Sequence, residues 1–358
     1  MSKEFKSPLH ETAETTVTDF WNDSCSIPEL KYAMEHGAVG ATTNPVIVGN
    51  VLGNEMDKYE GRIFELIKDM PAATEDDIAW ILIEEMAVEG AKLLEPLYHE
   101  SKGLKGRISI QTNTKFYRSA ELMSEQAIRF NQLAPNMQIK MPTTYAGIKA
   151  FEEATYNGAS INATVSYTVP QAIAVAEAVE RGLKRREAEG LSIDTMHPVC
   201  TIMVGRLDDW LKDIANRENI VVDPAHLEMA GVATMKHAYK IFKERGYRTQ
   251  LLAAAYRNHH QWSEFIGGDV SLTIPYKWQK RFNNSDITVE NRMDTPVDPQ
   301  IIEKLKKHFP DFIKAYEPDG MSEEEFDTYG AVTKTLKQFL GGYDNLIEMI
   351  RERMVIIK

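Results

Sequence analysis

Residues 137–166 read MQIKMPTTYAGIKAFEEATYNGASINATVS and contain a complete strand–helix–strand unit. The runs Met137–Pro142 and Ala159–Ser166 have the length and residue types of short strands. The segment Tyr145–Asn157 between them has helical periodicity. Two strands joined by a helix are typical of a βαβ unit, in which the strands lie parallel, so this stretch predicts a parallel sheet.

The same alternation of strands and helices continues on both sides of this unit. The eight strand-like runs are Thr16–Asp23, Gly37–Asn44, Arg107–Asn113, Met137–Pro142, Ala159–Ser166, His197–Val204, Gln250–Tyr256 and Asp269–Pro275. Helical patterns fill most of the gaps between them. Eight such units predict an α/β fold in which the sheet closes into a (β/α)8 TIM barrel over about residues 15–285.

The whole chain, residues 1–358, is predicted to form a single domain. It contains no linker, low-complexity tract or long charge run at which it could be divided. After the barrel, further helices are predicted at Pro299–His308, Glu323–Leu340 and Asn345–Val355. We expect these extra C-terminal helices, within residues 299–358, to pack outside the barrel.

The composition restricts the classes of partner. The chain has 358 residues, 43% of them hydrophobic, and a net charge of −12. This charge argues against binding to nucleic acid or to an anionic membrane surface, and an anionic substrate would require a local basic pocket. The two cysteines, Cys25 and Cys200, form no CxxC pair, which suits a cytoplasmic protein. No apolar signal segment or membrane-length apolar stretch is present, so neither secretion nor a membrane span is expected.

Lys140 is the most informative single residue. Within Met137–Pro142, strand alternation places Lys140 and Gln138 on one face and the apolar side chains on the other. Burying an ammonium group is unfavourable unless the group is paired or loses its proton. A desolvated lysine with a lowered pKa is the nucleophile that Schiff-base chemistry requires. The alternative is a strand-end lysine whose head group reaches solvent.

Polar side chains end seven of the eight predicted strands. They are Asp23, Asn44, Gln111, Lys140, Asn162, Thr164, Arg206 and Arg257. Each has an ordinary structural explanation on its own, such as a helix cap for Asp23, a turn for Asn44 or a surface ion pair for an arginine. Catalytic groups of a (β/α)8 barrel come from the carboxyl ends of several strands. As a set, these residues predict an active site around Lys140.

The segments that carry these residues resemble the motifs of the transaldolase family. In chain order they are Trp21-Asn22-Asp23, Gly40–Pro45 (GATTNP), Ile139–Pro142 followed by Gly147, Gly158–Thr164 (GASINAT), Val204–Trp210 (VGRLDDW) and Ala255–Asn258 (AYRN). The six segments follow the family's order over nearly the whole barrel. The resemblance implies a (β/α)8 barrel with class I aldolase chemistry, in which a lysine Schiff base carries the substrate.

The resemblance also implies a role for each motif residue. Lys140 would form the imine with the C2 carbonyl of a ketose. Asp23 would take the proton of the C4 hydroxyl as the bond between C3 and C4 breaks. Asn44 and Asn162 would hold the hydroxyls of the dihydroxyacetone unit.

Four further residues receive roles from the same resemblance. Thr164, together with Gln111, would position a water molecule. Arg206 and Arg257 would bind the distal anion of the sugar, which fits the preference of forked guanidinium donors for an oxyanion.

Three features, at four positions, depart from the family's usual pattern. Gln111 stands where glutamate is usual, and an amide can orient water but cannot act as a base. Glutamine at this position is found in the smaller aldolase-type members, which also have a tyrosine where this chain has Met203; typical transaldolases have phenylalanine there. In the anion clamp, Thr201 keeps the hydroxyl of one usual serine, whereas Ala255 loses the other. The distal anion is therefore either a phosphate or another group such as a sulfonate.

The function implied by the resemblance is the transfer of a dihydroxyacetone unit from an anionic ketose, such as fructose 6-phosphate, to an aldose. This chemistry belongs to carbohydrate metabolism, as in the pentose phosphate pathway. One alternative is a fructose-6-phosphate-aldolase-like or sulfosugar-specific enzyme of the same fold. The other is a barrel that binds a sugar anion without turning it over.

No metal or organic cofactor is expected, because the lysine would supply the electron sink. The adjacent His259 and His260 have no acidic partner at ligand spacing, and no nucleotide-binding motif is present. Small anionic sugars are the expected partners, whereas nucleic acid and membranes are not. A homo-oligomer is compatible with the sequence.

Overall fold

The computed structural model describes residues 4–355, and its centre is a closed barrel of eight parallel strands. Each strand pairs with its neighbours in sequence, and the last strand pairs with the first. The strands are β1 (Asp19–Asn22), β2 (Gly40–Thr42), β3 (Arg107–Gln111), β4 (Met137–Pro142), β5 (Ile161–Ser166), β6 (Val199–Ile202), β7 (Gln250–Ala253) and β8 (Ser271–Ile274). The predicted (β/α)8 barrel is confirmed, and β4 has the predicted bounds.

Helices surround the barrel and connect its strands. Those before β5 are α1 (Pro8–Thr15), α2 (Ile27–Glu35), α3 (Pro45–Asn54), α4 (Met56–Asp69), α5 (Glu75–Glu100), α6 (Ala120–Phe130) and α7 (Tyr145–Tyr156). Those after β5 are α8 (Val169–Ala188), α9 (Val204–Arg217), α10 (Pro224–Leu227), α11 (Ala230–Arg245), α12 (His260–Ser263), α13 (Tyr276–Asn283), α14 (Pro299–His308), α15 (Pro310–Tyr316) and α16 (Gly330–Met354). Short 3-10 turns lie at Thr114–Phe116 and Glu323–Thr328. Within residues 4–355, no helix combines the length and the apolar character that crossing a membrane would require.

The strands are buried on both faces, as is usual for a parallel sheet covered by helices. Their outward side chains pack with the helices in one large apolar core. Inside the barrel, a small cluster contains Trp21, Val199, Leu252 and Ala254. On the same face of β4 as Lys140, Gln138 donates a hydrogen bond of 2.7 Å to the carbonyl of His197. Alternation along β4 therefore directs Lys140 toward the barrel interior.

The first helix after β2 was not predicted from the sequence. Helix α3 reads PVIVGNVLGN, in which β-branched residues and glycines obscure the helical period. The helix begins because Asn44 caps it and Pro45 occupies the first helical position, where its missing N–H has no cost. Helices α1, α12, α13 and α15 were also not predicted.

The C-terminal segment forms one long helix instead of the two that were predicted. The predicted break falls at Gly341 and Gly342, but α16 continues through both residues. A Cβ atom at Gly342 would lie 2.5 Å from Cγ2 of Val46 on α3, whereas a Cβ atom at Gly341 would meet nothing within 4 Å. Gly342 therefore permits the close approach of α16 to α3 and does not mark a helix end.

Helix α16 lies across the carboxyl end of the barrel. It packs on α3, which follows β2, and on α9, which follows β6. These two strands are on opposite sides of an eight-stranded barrel, so a helix in contact with both α3 and α9 spans the barrel mouth. Helices α14 and α15 pack instead against α11 on the outer ring.

The two glycines of α16 should respond in opposite ways to replacement by alanine. Gly341→Ala should stabilise the protein by about 0.5–1 kcal/mol, because alanine is the better helix former and the site has free space. Gly342→Ala should destabilise it, because the new methyl group would overlap Val46. Urea denaturation of both variants measures the difference. Equal midpoints would show that α16 does not depend on this contact.

Candidate active site

Lys140 lies near the end of β4 and is almost completely buried, with 3% of its surface exposed. Gln111 of β3 and Asn162 of β5 are its direct partners in the strand register. Its Nζ donates a hydrogen bond of 3.2 Å to the carbonyl oxygen of Thr43. Burial lowers the pKa of Lys140 to about 8; Asp23 partly opposes this shift, and Arg206 adds to it. About one-tenth of this amine is therefore neutral at pH 7, far more than for an unperturbed lysine.

Asp23 follows β1 directly and faces the same interior. Its Oδ1 accepts a hydrogen bond of 2.8 Å from the Thr42 hydroxyl. Burial raises the pKa of Asp23, whereas Lys140, the Thr42 hydrogen bond and Arg206 partly lower it. The N-cap of α2 is Ser26, so the simple alternative of a helix-capping role for Asp23 does not apply here. An acid with a raised pKa and an amine with a lowered pKa thus form an electrostatically coupled pair.

Asn162 and Thr201 form a buried network beside the lysine. The Asn162 Nδ2 donates to the Ser109 hydroxyl at 2.9 Å, and the Asn162 Oδ1 accepts from the Thr201 hydroxyl at 2.7 Å. Both ends of the amide are therefore fixed by neighbouring side chains. Thr201, which was assigned to the anion clamp, donates its hydroxyl proton to this inner network.

Asn44 has the structural role that its position before Pro45 allows. Its Oδ1 accepts a hydrogen bond of 3.0 Å from the backbone N–H of Ile47 and caps α3. The cap uses only the amide oxygen. A contact with a substrate hydroxyl would therefore come from the Asn44 NH2 group, acting as a donor.

Gln111 and Thr164 are both buried at the same end of the barrel, but they do not contact each other through a hydrogen bond. The Gln111 Nε2 donates weakly to the Thr114 hydroxyl at 3.4 Å, and its Oε1 has no partner within residues 4–355. The Thr164 hydroxyl lies 3.9 Å from the Met203 sulfur. A buried amide oxygen without a partner is costly, so Gln111 offers an acceptor to a bound group.

The backbone is strained at two strand ends in the site. Val165, between Thr164 and Ser166, has φ of 55°, an unusual value for a β-branched residue. The register between β5 and β6 shifts at the same place, between Ala163 and Ser166. Ala255 has φ of 68°, which also explains why β7 ends at Ala253 and not at the predicted Tyr256. Val165 follows Thr164 directly and Ala255 lies two residues before Arg257, and functional sites are a common location for such strain.

The two arginines lie around one small cavity, but their surroundings differ. Arg206, in the first turn of α9, donates to the Thr335 hydroxyl at 3.3 Å and to Oε1 of Gln338. Arg257 forms an ion pair of 2.7 Å with Asp209. The structure thus brings both guanidinium groups together, with a carboxylate at the edge.

Several residues that shape the site were missed by the sequence analysis. Asp208 is buried, and its carboxylate accepts hydrogen bonds from the Gly231 N–H at 2.8 Å and from Gln261 Nε2 at 2.6 Å. The Gln261 Oε1 in turn accepts from the backbone N–H of Arg257 at 2.5 Å. This chain fixes the backbone of Arg257. Asp208 and Gln261 lie in different helices, so no sequence spacing indicates that they interact. An acid close to a motif arginine, such as Asp208 near Arg206, is nevertheless a usable signal.

A buried phenol near Asp23 was also missed. The Tyr256 hydroxyl has no hydrogen-bond partner within the described part of the chain. Burial raises the pKa of Tyr256 well above its usual range, and the Asp23 carboxylate raises it further. The chain therefore lacks a tyrosine at position 203 but places one from the β7 end near the coupled pair.

His259 and His260 stack on each other with ring centres 4.0 Å apart. Searching residues 4–355 for three or more histidine, cysteine, aspartate or glutamate side chains arranged to hold a metal ion gave no group.

The fold and the site together define a (β/α)8 barrel that holds a coupled lysine–aspartate pair at the carboxyl ends of its strands. Residues 20–340 match the sequence model of the family described as Transaldolase/Fructose-6-phosphate aldolase. Because this match covers most of the chain, the protein belongs to that family.

Individual relatives are more distant. A transaldolase of Thermobifida fusca is 28% identical over 257 residues, which is 66% of each chain. A transaldolase of Mycobacterium tuberculosis is 29% identical over 211 residues, 58% of this chain and 55% of the relative. Transaldolase 1 of Streptomyces avermitilis is 28% identical over 221 residues, 61% and 58% of the two chains. The chain thus spans between about half and two thirds of the length of these relatives.

The lowered pKa of Lys140 can be measured through the rate at which 1-fluoro-2,4-dinitrobenzene, an electrophile that does not itself titrate, arylates its amine. Only the neutral amine reacts, so the rate should rise with pH and level off above about 8. An acetylated lysine amide in the same solution is the comparison, since an unperturbed lysine has a pKa of about 10.4. Mass spectrometry of the Lys140 peptide gives the profile. A profile identical to that of the free lysine would show that burial does not perturb this amine.

Proposed function

We propose that the protein transfers a dihydroxyacetone unit from a ketose to an aldose through a Schiff base on Lys140. The observation that carries this proposal is the buried Lys140 amine, whose pKa is lowered to about 8 beside Asp23. A neutral amine is required for attack on a carbonyl, and a nearby acid–base group is required to break the carbon–carbon bond. The family membership supports the same chemistry.

The reaction begins at the ketose carbonyl. The Lys140 nitrogen attacks C2, and loss of water gives a protonated imine. Asp23 then takes the proton of the C4 hydroxyl while the bond between C3 and C4 breaks. The electron pair of that bond moves into the imine and forms an enamine, and an aldehyde leaves. The acceptor aldose reacts with the enamine by the reverse of these steps, and hydrolysis of the new imine restores the amine.

The remaining polar groups would hold the substrate and a water molecule. The Asn44 NH2 group and the fixed amide of Asn162 are suited to the hydroxyls of the dihydroxyacetone unit. The unpartnered Oε1 of Gln111 is suited to accept from a water molecule near the imine, which Thr164 would share. Gln111 would only orient this water, because a side-chain amide does not act as a general base near neutral pH.

The distal end of the sugar would carry an anion, bound by Arg206 and Arg257. Their shared cavity explains how a chain with a net charge of −12 can bind an anionic sugar. A phosphate and a sulfonate both present oxygens to guanidinium donors. The proposed substrate class is therefore a ketose with a terminal oxyanion.

A second candidate is an aldolase that releases free dihydroxyacetone instead of passing it to an acceptor. Gln111 favours this candidate, because glutamine at this position is found in aldolase-type members of the family. Met203 does not favour it, because those members have a tyrosine there. Assaying free dihydroxyacetone from a ketose, with and without an acceptor aldehyde, separates the two activities.

Borohydride reduction in the presence of a ketose should attach the sugar's mass to the Lys140 peptide. Lys140→Ala and Lys140→Arg should both abolish the label and the turnover, because arginine keeps the charge but does not become a neutral amine. Mass spectrometry of the digested protein locates the label. A label on a different lysine would end the assignment of Lys140.

Asp23→Asn should retain imine formation but lose carbon–carbon bond cleavage. The amide preserves the shape of the side chain and removes the base, and such groups typically contribute ~10²–10⁴-fold in rate. Borohydride trapping reports the imine, and release of the aldehyde reports cleavage. Turnover within a few-fold of wild type would show that another group takes the C4 proton.

A further inference from the structure

A small cavity at the edge of the candidate active site is shared between the barrel and the C-terminal helix. It has a volume of about 120 Å³. Arg206, Asp209 and Arg257 line it from the barrel side, and Ala331, Lys334, Thr335 and Gln338 line it from α16. The helix that crosses the barrel mouth therefore supplies half of the wall around the two arginines.

Arg206 has hydrogen-bonding capacity that its surroundings do not use. Its Nη1 donates to the Thr335 hydroxyl and to Oε1 of Gln338, both on α16. Its Nε is buried and has no partner among the described residues. A buried guanidinium N–H without an acceptor is unfavourable, so the geometry leaves a place for another acceptor.

The guanidinium nitrogens of Arg257, by contrast, are already paired with neighbouring groups. Its Nε donates to Asp209 at 2.9 Å, its Nη2 forms an ion pair with the same carboxylate, and its Nη1 donates to the carbonyl of Tyr256. Arg257 therefore contributes charge to the cavity, whereas Arg206 has the directed donor that remains unused.

Residues of α16 add a positive charge to the cavity and groups that can act either as hydrogen-bond donors or as acceptors. Lys334 brings a third positive charge to the lining, against the single carboxylate of Asp209, and pairs with Asp213. The amide of Gln338 can rotate so that its NH2 group, instead of its oxygen, faces the cavity, and the Thr335 hydroxyl can likewise donate. The buried Tyr167 hydroxyl lies near Arg206 and Thr335.

We infer that Lys334, Thr335 and Gln338 of α16 complete a distal-oxyanion site together with Arg206 and thereby determine substrate specificity. The inference rests on the proposed function, since it identifies the part of the protein that recognises the anionic end of the sugar. In the free site, the oxygens of Thr335 and Gln338 accept from Arg206. A bound oxyanion replaces them as the acceptor and receives donors from both sides of the cavity.

Three substitutions on α16 test this inference, and each makes the net charge one unit more negative. Gln338→Glu places a carboxylate where the amide oxygen meets Arg206, and Lys334→Gln removes the third cation. Lys337→Gln is the matched control, because Lys337 is an exposed residue of the same helix that does not line the cavity. Thermal denaturation of all three variants checks that each is folded.

Calorimetric titration of the full chain with inorganic phosphate, and separately with methanesulfonate, measures the affinity of the site at fixed ionic strength. Gln338→Glu should weaken binding by at least about 10-fold, because the new carboxylate competes with the anion for Arg206. Lys334→Gln should weaken it by about 2- to 5-fold, as expected for an exposed charge. Lys337→Gln should bind as wild type does. Each probe is compared only across the variants, because phosphate carries more negative charge than methanesulfonate near neutral pH.

Kinetics supply a second measurement. Where the protein turns over both a charged ketose and its uncharged analogue, the ratio of their kcat/KM values should fall in Gln338→Glu and Lys334→Gln but not in Lys337→Gln.

The test separates this inference from the proposed function. If borohydride traps no sugar at Lys140 but the probe affinities change as expected, the proposed chemistry is rejected and the distal-oxyanion site is retained. Trapping at Lys140 together with unchanged affinity in Gln338→Glu and Lys334→Gln would reject the site alone. A wild-type protein that binds neither probe would also overturn the inference.

Discussion

The electrostatic coupling between Lys140 and Asp23 is the constraint on which the rest of the site depends. Each group is charged in water, and burial disfavours the charged form of each. Their mutual attraction favours the charged form of each group and so offsets part of this penalty. The closed barrel makes this possible, because it excludes water from the strand ends while its backbone and hydroxyl groups, such as the carbonyl of Thr43 and the hydroxyl of Thr42, satisfy the polar atoms.

The barrel, and the polar residues at the carboxyl ends of its strands, were predictable from the sequence. Strands of a parallel sheet are buried on both faces, so they appear as short apolar runs, and the polar residue that ends each run is conspicuous. Lys140 illustrates this, since β4 has the predicted bounds. Helix α3 and the continuous α16 were not predictable in the same way. Their glycines and β-branched residues follow from contact between the two helices, and this contact is a property of the folded chain.

The roles of individual site residues were less predictable than their positions. Thr201 was assigned to the anion end, yet its hydroxyl fixes the amide of Asn162. The backbone of Arg257 depends on Gln261, which is held by Asp208 from another helix. A hydroxyl or an amide can donate in several directions, and the direction is chosen by neighbours that are distant in sequence. Resemblance to a family therefore identifies such residues better than it identifies their partners.

The Lys140–Asp23 pair and the α16 residues of the proposed distal-oxyanion site lie in separate parts of the chain. All eight strands, and with them Lys140 and Asp23, precede residue 275, whereas the helix that faces Arg206 begins at Gly330. In the proposed distal-oxyanion site, mutations in this one late helix would alter which anionic sugar binds, while the strand registers that hold Lys140 and Asp23 stay the same. On that proposal, one helix outside the barrel strands is a short evolutionary route to a new specificity.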